Sequence, residues 1–443
     1  MKILVYGINY APELTGIGKY TAEMAATLQA HGHDVRVVCA PPYYPQWRIG
    51  KGYSALRYNR ECRDGVALWR TPLWVPNSPR GVRRIFHLAS FAASSLPIVL
   101  AQAFWRPDVV MCIAPSMLNA PTGWLVARLC RAHAWVHIQD YEVDAAFQLG
   151  VLNGSLLKRT ALWVERTLLR RFDTVSTISK KMLERAQDKG VDPARLVHFP
   201  NWADVTAIRP LGRRSALCET LRIGADAIVV LYSGNMGVKQ GLEVLAAAAV
   251  ELVNRDDIVF VFCGNGPVRE AIHAVCGELK NCRFSDLRPA EELNELMNLA
   301  DIHVLPQRND AADLVMPSKL TGMFASERPV IAMAQPGTEL YEVVAPRGWV
   351  IPPGDAHALA QAIEHLADDA ALRAELGRMG RAFAQAVLSR DAVLGEFANA
   401  LHARVPYKAK ARRELENYGT PAVPVEMIDD GVAVAETDAV TTR

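Results

Sequence analysis

The feature that most constrains this chain is a strand–helix rhythm that runs once, breaks, and starts again. Short apolar runs rich in β-branched residues, Ile3 to Tyr6, Val35 to Cys39, Val109 to Ile113, Ala134 to Ile138 and Thr174 to Ile178, alternate with helical segments. Unbroken apolar runs of this kind suit parallel strands covered on both faces by crossover helices. The rhythm stops in a polar junction containing Arg213 and Arg214. It resumes with Ala227 to Tyr232, Ile258 to Cys263, Asp301 to Pro306 and Pro329 to Ala332. The chain is therefore read as α/β, with Rossmann-like domains at 1–205 and 215–386, long enough for two full cores. A helix at 387–404 is expected to pack back on the N-terminal domain. The tail, 405–443, lacks periodicity and reads as disordered.

The eight cysteines form no CxxC pair and have no histidine at metal-ligand spacing. They read as reduced, buried thiols of a cytoplasmic protein rather than a disulfide framework or a zinc site. The first residues enter a strand pattern directly, without a signal peptide's charged region and cleavage site. Net charge is only +2, but residues 1–210 hold 26 Lys and Arg against 15 Asp and Glu, and the remainder hold 23 against 32. A basic N-terminal half facing an anionic partner follows. No nucleic-acid-binding motif accompanies it, so an anionic membrane surface or a phosphorylated substrate fits better. Residues 85–105 are largely apolar with arginines on both sides, which suits a packed or interfacial helix more than a span.

Ligands of open parallel sheets bind beyond the carboxyl ends of the strands. Several such ends carry suggestive residues. Ser318 reads as the N-cap of a helix that follows Pro317, and Lys319 is a cation where the helix dipole disfavours one unless an anion is present. Gly234 to Gly241, with Asn235 and Lys239, and Gly264-Asn265-Gly266-Pro267 look like further anion cradles. Near the N-terminus, Gly16-Ile17-Gly18 precedes a helix, and the glycines read either as a ligand approach or as a tight turn. The run is no GxGxxG fingerprint, and no acid ends the second strand to hold a ribose, which disfavours a dinucleotide enzyme. Asp140, Glu142 and Asp144 follow the strand at 134–138, as active-site acids or as acids at a helix start. Residues 41–80, rich in Pro, Tyr, Trp and Arg, form a long insertion of the functional kind.

In order along the chain, Pro12 with Thr15 to Gly18, His31 to Val35, Pro200-Asn201 with Asp204, Ser233-Gly234-Asn235, Gly264 to Pro267, and Pro317 to Leu320 with Pro329-Val330 resemble the retaining GT-B glycosyltransferases of family 4, and among them an exopolysaccharide subgroup. The resemblance covers residue 1 to about 404. It implies two facing Rossmann-like domains with a deep cleft between them, a nucleotide-sugar donor on the second and an acceptor on the first. It further implies no cofactor or metal, because helix N-termini and basic side chains stabilise the leaving diphosphate. The donor contacts carried over are Asn235, Lys239, Gly264, Asn265, Asp313, Ser318, Lys319, Leu320 and Glu339, with Gly16, Ile17 and Gly18 on the acceptor side and Asp140 near the reacting sugar. The subgroup implies GDP-fucose as donor, a polyprenyl-diphosphate-linked saccharide as acceptor, and peripheral attachment to the inner face of the cell membrane. A sugar-nucleotide epimerase and a non-catalytic GT-B partner subunit are the alternatives. Two positions depart from the family pattern. Gly322, with Leu314 eight residues earlier, stands where two glutamates are usual, so ribose and sugar contacts fall to Asp313, Glu339 or Glu342. The usual Lys-Gly reads Gln240-Gly241, with Lys239 one position away.

Overall fold

The computed structural model describes residues 1–13, 16–77, 81–114, 117–141, 155–212, 214–308 and 317–405. Fourteen strands among them form two sheets. The first contains β1 (Lys2–Tyr6), β2 (Asp34–Cys39), β3 (Asn59–Arg63), β4 (Val66–Arg70), β5 (Val109–Ala114), β6 (His133–Ile138), β7 (Thr174–Thr177) and β8 (Leu196–His198), in the order β3-β4-β2-β1-β5-β6-β7-β8. Only β3 runs antiparallel to its neighbour. The second contains β9 (Ile228–Ser233), β10 (Ile258–Cys263), β11 (Cys282–Ser285), β12 (Ile302–Leu305), β13 (Val330–Met333) and β14 (Trp349–Ile351), all parallel, in the order β11-β10-β9-β12-β13-β14.

Burial explains why the central strands are legible as apolar runs. Every residue of β5 and β10 is buried, because helices cover both faces of each sheet. On one face of the first sheet lie α2 (Val82–Ala101) and α3 (Ala120–Cys130), sealing Leu88, Phe91, Val99, Val126 and Ala127 against β1, β5 and β6. On the other lie α1 (Ile17–Ala30) and the last helix, Arg390–Arg404, which returns to this domain. Its Phe397 stacks on Phe199 at 4.1 Å and meets Trp135 edge-on at 5.5 Å.

The insertion at 41–80 contributes the hairpin β3–β4, which widens the sheet. Arg70 anchors it: buried at 2% exposure, its guanidinium donates to Glu61 at 2.7 Å and to the carbonyls of Ala40 and Ala11. The chain passes between the two sheet domains at two adjacent places. Ala203 pairs with Ser389, its N–H donating to Leu388 at 2.7 Å and its carbonyl accepting from Arg390 at 3.0 Å. The Arg381 guanidinium fastens this crossing to the carbonyls of Val205, Ile208 and Ala325. All eight cysteines are free, and Cys62 is exposed rather than buried because it lies on the edge strand β3.

Candidate active site

On the second domain the site is built from backbone before side chains. β9 ends at Ser233 and β10 at Cys263, and the loops that follow are stacked directly on one another. The Met236 N–H donates to the Asn265 carbonyl at 2.9 Å, and the Val268 N–H to the Met236 carbonyl at 3.2 Å. A Cβ on Gly264 would lie 1.9 Å from the Gly234 carbonyl oxygen, and one on Gly266 2.4 Å from that of Met236. These glycines are required by loop-on-loop contact.

Lys319 enters across this platform from the short helix Lys319–Ala325. Its stem runs over Gly234, where a Cβ would meet the lysine Cε at 2.6 Å. The ammonium donates to the Tyr232 hydroxyl at 2.6 Å and lies 4.2 Å from the centre of that ring. The Tyr232 hydroxyl passes the interaction on, donating to the Asn235 carbonyl at 2.6 Å. Burial lowers the pKa of Lys319 to about 7. A desolvated ammonium poised over a glycine platform is a receptor for an anion.

Ser318 precedes the helix but does not cap it, because its backbone is already helical and its side chain takes no backbone N–H. Together with Thr321 it faces the buried phenol of Tyr20, one turn into α1 of the first domain. The start of α1 and the start of the Lys319 helix therefore meet. Ile17 packs at the edge of the α1 core. Packing requires the glycine at position 18, since a Cβ there would lie 2.6 Å from Glu13 Oε2. Buried Glu13 accepts from the N–H groups of Tyr43 and Tyr44, each at 3.1 Å, and from Asn9 at 2.9 Å. It thereby ties the loop before α1 to the start of the insertion, and burial raises its pKa.

Asp140 follows β6 at the carboxyl edge of the first sheet. The strand end that presents it is braced from within: the Gln139 amide donates to His137 Nε2 at 3.0 Å, and His137 Nδ1 meets Ser176 Oγ at 2.9 Å. Burial lowers the His137 pKa to about 3, so this brace is neutral. Asp140 lies within electrostatic reach of the Tyr44 hydroxyl, as do Arg84 and Glu13. Glu142, Asp144 and Asp313 lie outside the described residues.

Two of the expected donor contacts, Leu320 and Glu339, are placed otherwise. Leu320 is 1% exposed and packs in the second-domain core, because positions 320, 323 and 324 form the inward face of their helix. Glu339 turns to the first domain, its two oxygens accepting from the N–H groups of Lys180 and Lys181, each at 3.0 Å, at the start of helix Lys180–Asp188. That geometry is a helix cap made across the domain junction. Glu339→Ala is accordingly expected to cost about 1–3 kcal/mol in thermal unfolding and to leave nucleotide affinity unchanged. The reverse result would return Glu339 to the donor site. Lys239 sits in a tight turn whose carbonyl accepts from the Arg308 N–H at 3.2 Å, and Asn265 accepts from Arg269 at 2.7 Å. The position of Gly322 faces Ile208 and Met297, an apolar setting in which a glutamate would gain no polar partner from either.

Comparison with known proteins decides the family. Residues 15–202 match the glycosyl transferase 4-like domain, and residues 227–369 match glycosyl transferases group 1. The chain is 40% identical over 411 residues to the putative colanic acid biosynthesis glycosyl transferase WcaI of Escherichia coli K12, covering 90% of this chain and 99% of that one. The chain belongs to glycosyltransferase family 4. Members of this family are retaining enzymes with the GT-B fold of two Rossmann-like sheets. A further family relative, the probable glycosyltransferase WbjE of Pseudomonas aeruginosa, is 26% identical over 65% of this chain and 72% of its own. Among solved structures, sucrose-phosphate synthase from Thermosynechococcus elongatus superposes with a TM-score of 0.71 at 18% identity, covering 91% of this chain and 99% of that one. Anabaena HepE, solved in complex with UDP and glucose, gives a TM-score of 0.67 at 16% identity over 91% of this chain and 100% of its own. Tyr20, Glu13, Tyr44 and Tyr232 are the site residues that sequence reasoning missed. The available signals were the placement of Tyr232 at the carboxyl end of β9 and that of Tyr44 in the aromatic-rich insertion.

Proposed function

We propose that this family 4 enzyme moves a sugar, with retention of anomeric configuration, from a nucleotide sugar to a polyprenyl-diphosphate-linked saccharide during exopolysaccharide synthesis. The observation that carries the donor half is the Lys319 ammonium held over the glycine platform at Tyr232. When the bond between the anomeric carbon and the diphosphate oxygen breaks, negative charge collects on the leaving group. A cation already held in place over the platform stabilises that charge without reorganising. On the other wall, Asp140 is the acidic group beside the reacting sugar. The kinship to WcaI supports a role in a colanic-acid-like polymer, and GDP-fucose is the proposed donor; the UDP complexes of HepE make uridine nucleotides the comparison to run.

Calorimetry of the full chain against GDP, UDP and ADP, followed by turnover of the corresponding sugar nucleotides with a lipid-linked saccharide, tests this reading. One diphosphate is expected to bind at least about tenfold tighter than the others, and its sugar to be transferred. Donor conversion without acceptor would instead indicate an epimerase. Absence of binding to all three would indicate a non-catalytic subunit.

A further inference from the structure

α2 carries an apolar face that the described residues do not cover. Together with the 3-10 turn that continues it, Val82–Trp105 is long and apolar enough to cross a membrane, yet only 28% of its most apolar stretch is buried. The inward side is firmly attached: Leu88, Phe91 and Val99 enter the core, Ser95 meets the Tyr6 hydroxyl at 2.6 Å, and Tyr58 donates to the Ser94 carbonyl at 2.9 Å. A helix fastened along its length to the sheet domain cannot span a bilayer. The outward side carries apolar residues at spacings that keep to one helix face, with Val82, Phe86, Leu96 and Phe104 exposed by 59, 63, 41 and 92%. Ala93 continues the stripe between them. Beside it on the same face of the sheet, α3 and the turn before it expose Leu118, Leu125 and Leu129.

Charge identifies what covers this face. From Gly65 to Gln139 the chain has a single acid, Asp108, and of its seven arginines Arg70 pairs with Glu61 and Arg128 with Asp173. Asp108 is engaged at the foot of β5, accepting from the Lys2 N–H at 2.9 Å. Arg83 and Arg84 stand exposed at one end of the stripe, Arg106 and Arg131 at the other. A second copy of the chain seated on this face would bring apolar stripe to apolar stripe but also arginine to arginine, with no acid on either helix to answer. An anionic bilayer surface supplies both needs, acyl chains for the stripe and phosphates for its ends.

We infer that α2, with α3 beside it, lies in the plane of an anionic membrane as a shallow docking surface. The amino-terminal end of α2 then brings Arg84 to the lipid surface beside Tyr44, and Asp140 is within electrostatic reach of that same hydroxyl. The docked end of α2 then adjoins the acceptor wall of the site, on the side from which a lipid-linked diphosphate would be presented. This alignment rests on the glycosyl-transfer reading, whereas the docking does not.

Flotation of the full chain with phosphatidylcholine vesicles, with and without one-third phosphatidylglycerol, tests the docking. The wild type is expected to float with the anionic vesicles and to be released by high salt. The triple variant Phe86→Glu/Leu96→Glu/Phe104→Glu changes exposed side chains only. It is expected to lose about tenfold or more in vesicle partition while keeping its circular dichroism and nucleotide affinity. Arg83→Glu/Arg131→Glu is expected to lose the preference for anionic lipid. Wild type that stays at the bottom of the gradient, or a triple variant that floats equally well, overturns the proposal. So does a wild-type dimer in light scattering that the triple variant dissociates, since the face then belongs to a second copy. Nucleotide binding is read separately, so failure here leaves the glycosyl-transfer reading intact, and the converse also holds.

Discussion

Lys319→Met is expected to lower donor kcat/KM by about two to three orders of magnitude, or about 3–4 kcal/mol at the transition state, without loss of stability. Methionine keeps an apolar stem along Gly234 and removes only the charge that answers the departing diphosphate. The pH behaviour follows from burial. In the folded chain Lys319 titrates at about 7, against 10.5 for an ordinary lysine. Between those values the unfolded chain holds the proton and the folded one does not, so stability rises with pH through this window. Below it both states are protonated and the full cost of burying the charge is present. Thermal unfolding should show this rise in the wild type and a smaller one in the methionine variant. Nucleotide affinity moves the opposite way, because the diphosphate favours protonated Lys319. It should weaken above about pH 7, by up to about tenfold per pH unit. A methionine variant with wild-type turnover, or an affinity flat with pH, would remove Lys319 from the donor site.

Asp140→Asn should separate chemistry from donor binding. The amide preserves size and the braced strand end, but not the negative charge. Turnover is expected to fall by about a hundredfold or more, while the dissociation constant of the nucleoside diphosphate changes by less than about threefold, since the cradle belongs to the other sheet. Steady-state kinetics beside calorimetry reads both. Equal losses in the two would place Asp140 in donor binding, and a wild-type rate would exclude it from the reaction.

How much of this was legible in the sequence depends on where each residue finds its partners. The central strands could be read because both faces are covered, which forces continuous apolar runs. β3 could not: Asn59-Arg60-Glu61-Cys62-Arg63 is an edge strand, mostly exposed, and its polarity disguises it. The glycine loops were recognisable because backbone contact admits little else. Tyr20 and Glu339 could not be placed, since each completes its contacts with residues more than 150 positions away. Leu320 is different. The spacing of Leu320, Met323 and Phe324 already marks an inward helix face, and its neighbourhood to Lys319 obscured that signal.

The paired crossings at Ala203 and Ser389 have a mechanical consequence. Two strands of chain lying side by side, hydrogen-bonded to each other and fastened by Arg381, behave as the spine of a book. A spine allows the covers to swing about its own line and resists sliding or twisting of one against the other. Any opening wide enough to admit a nucleotide sugar must then follow that arc. The cap that Glu339 places on Lys180 and Lys181, and the contact of Tyr20 with Ser318 and Thr321, are the clasps that such a swing releases.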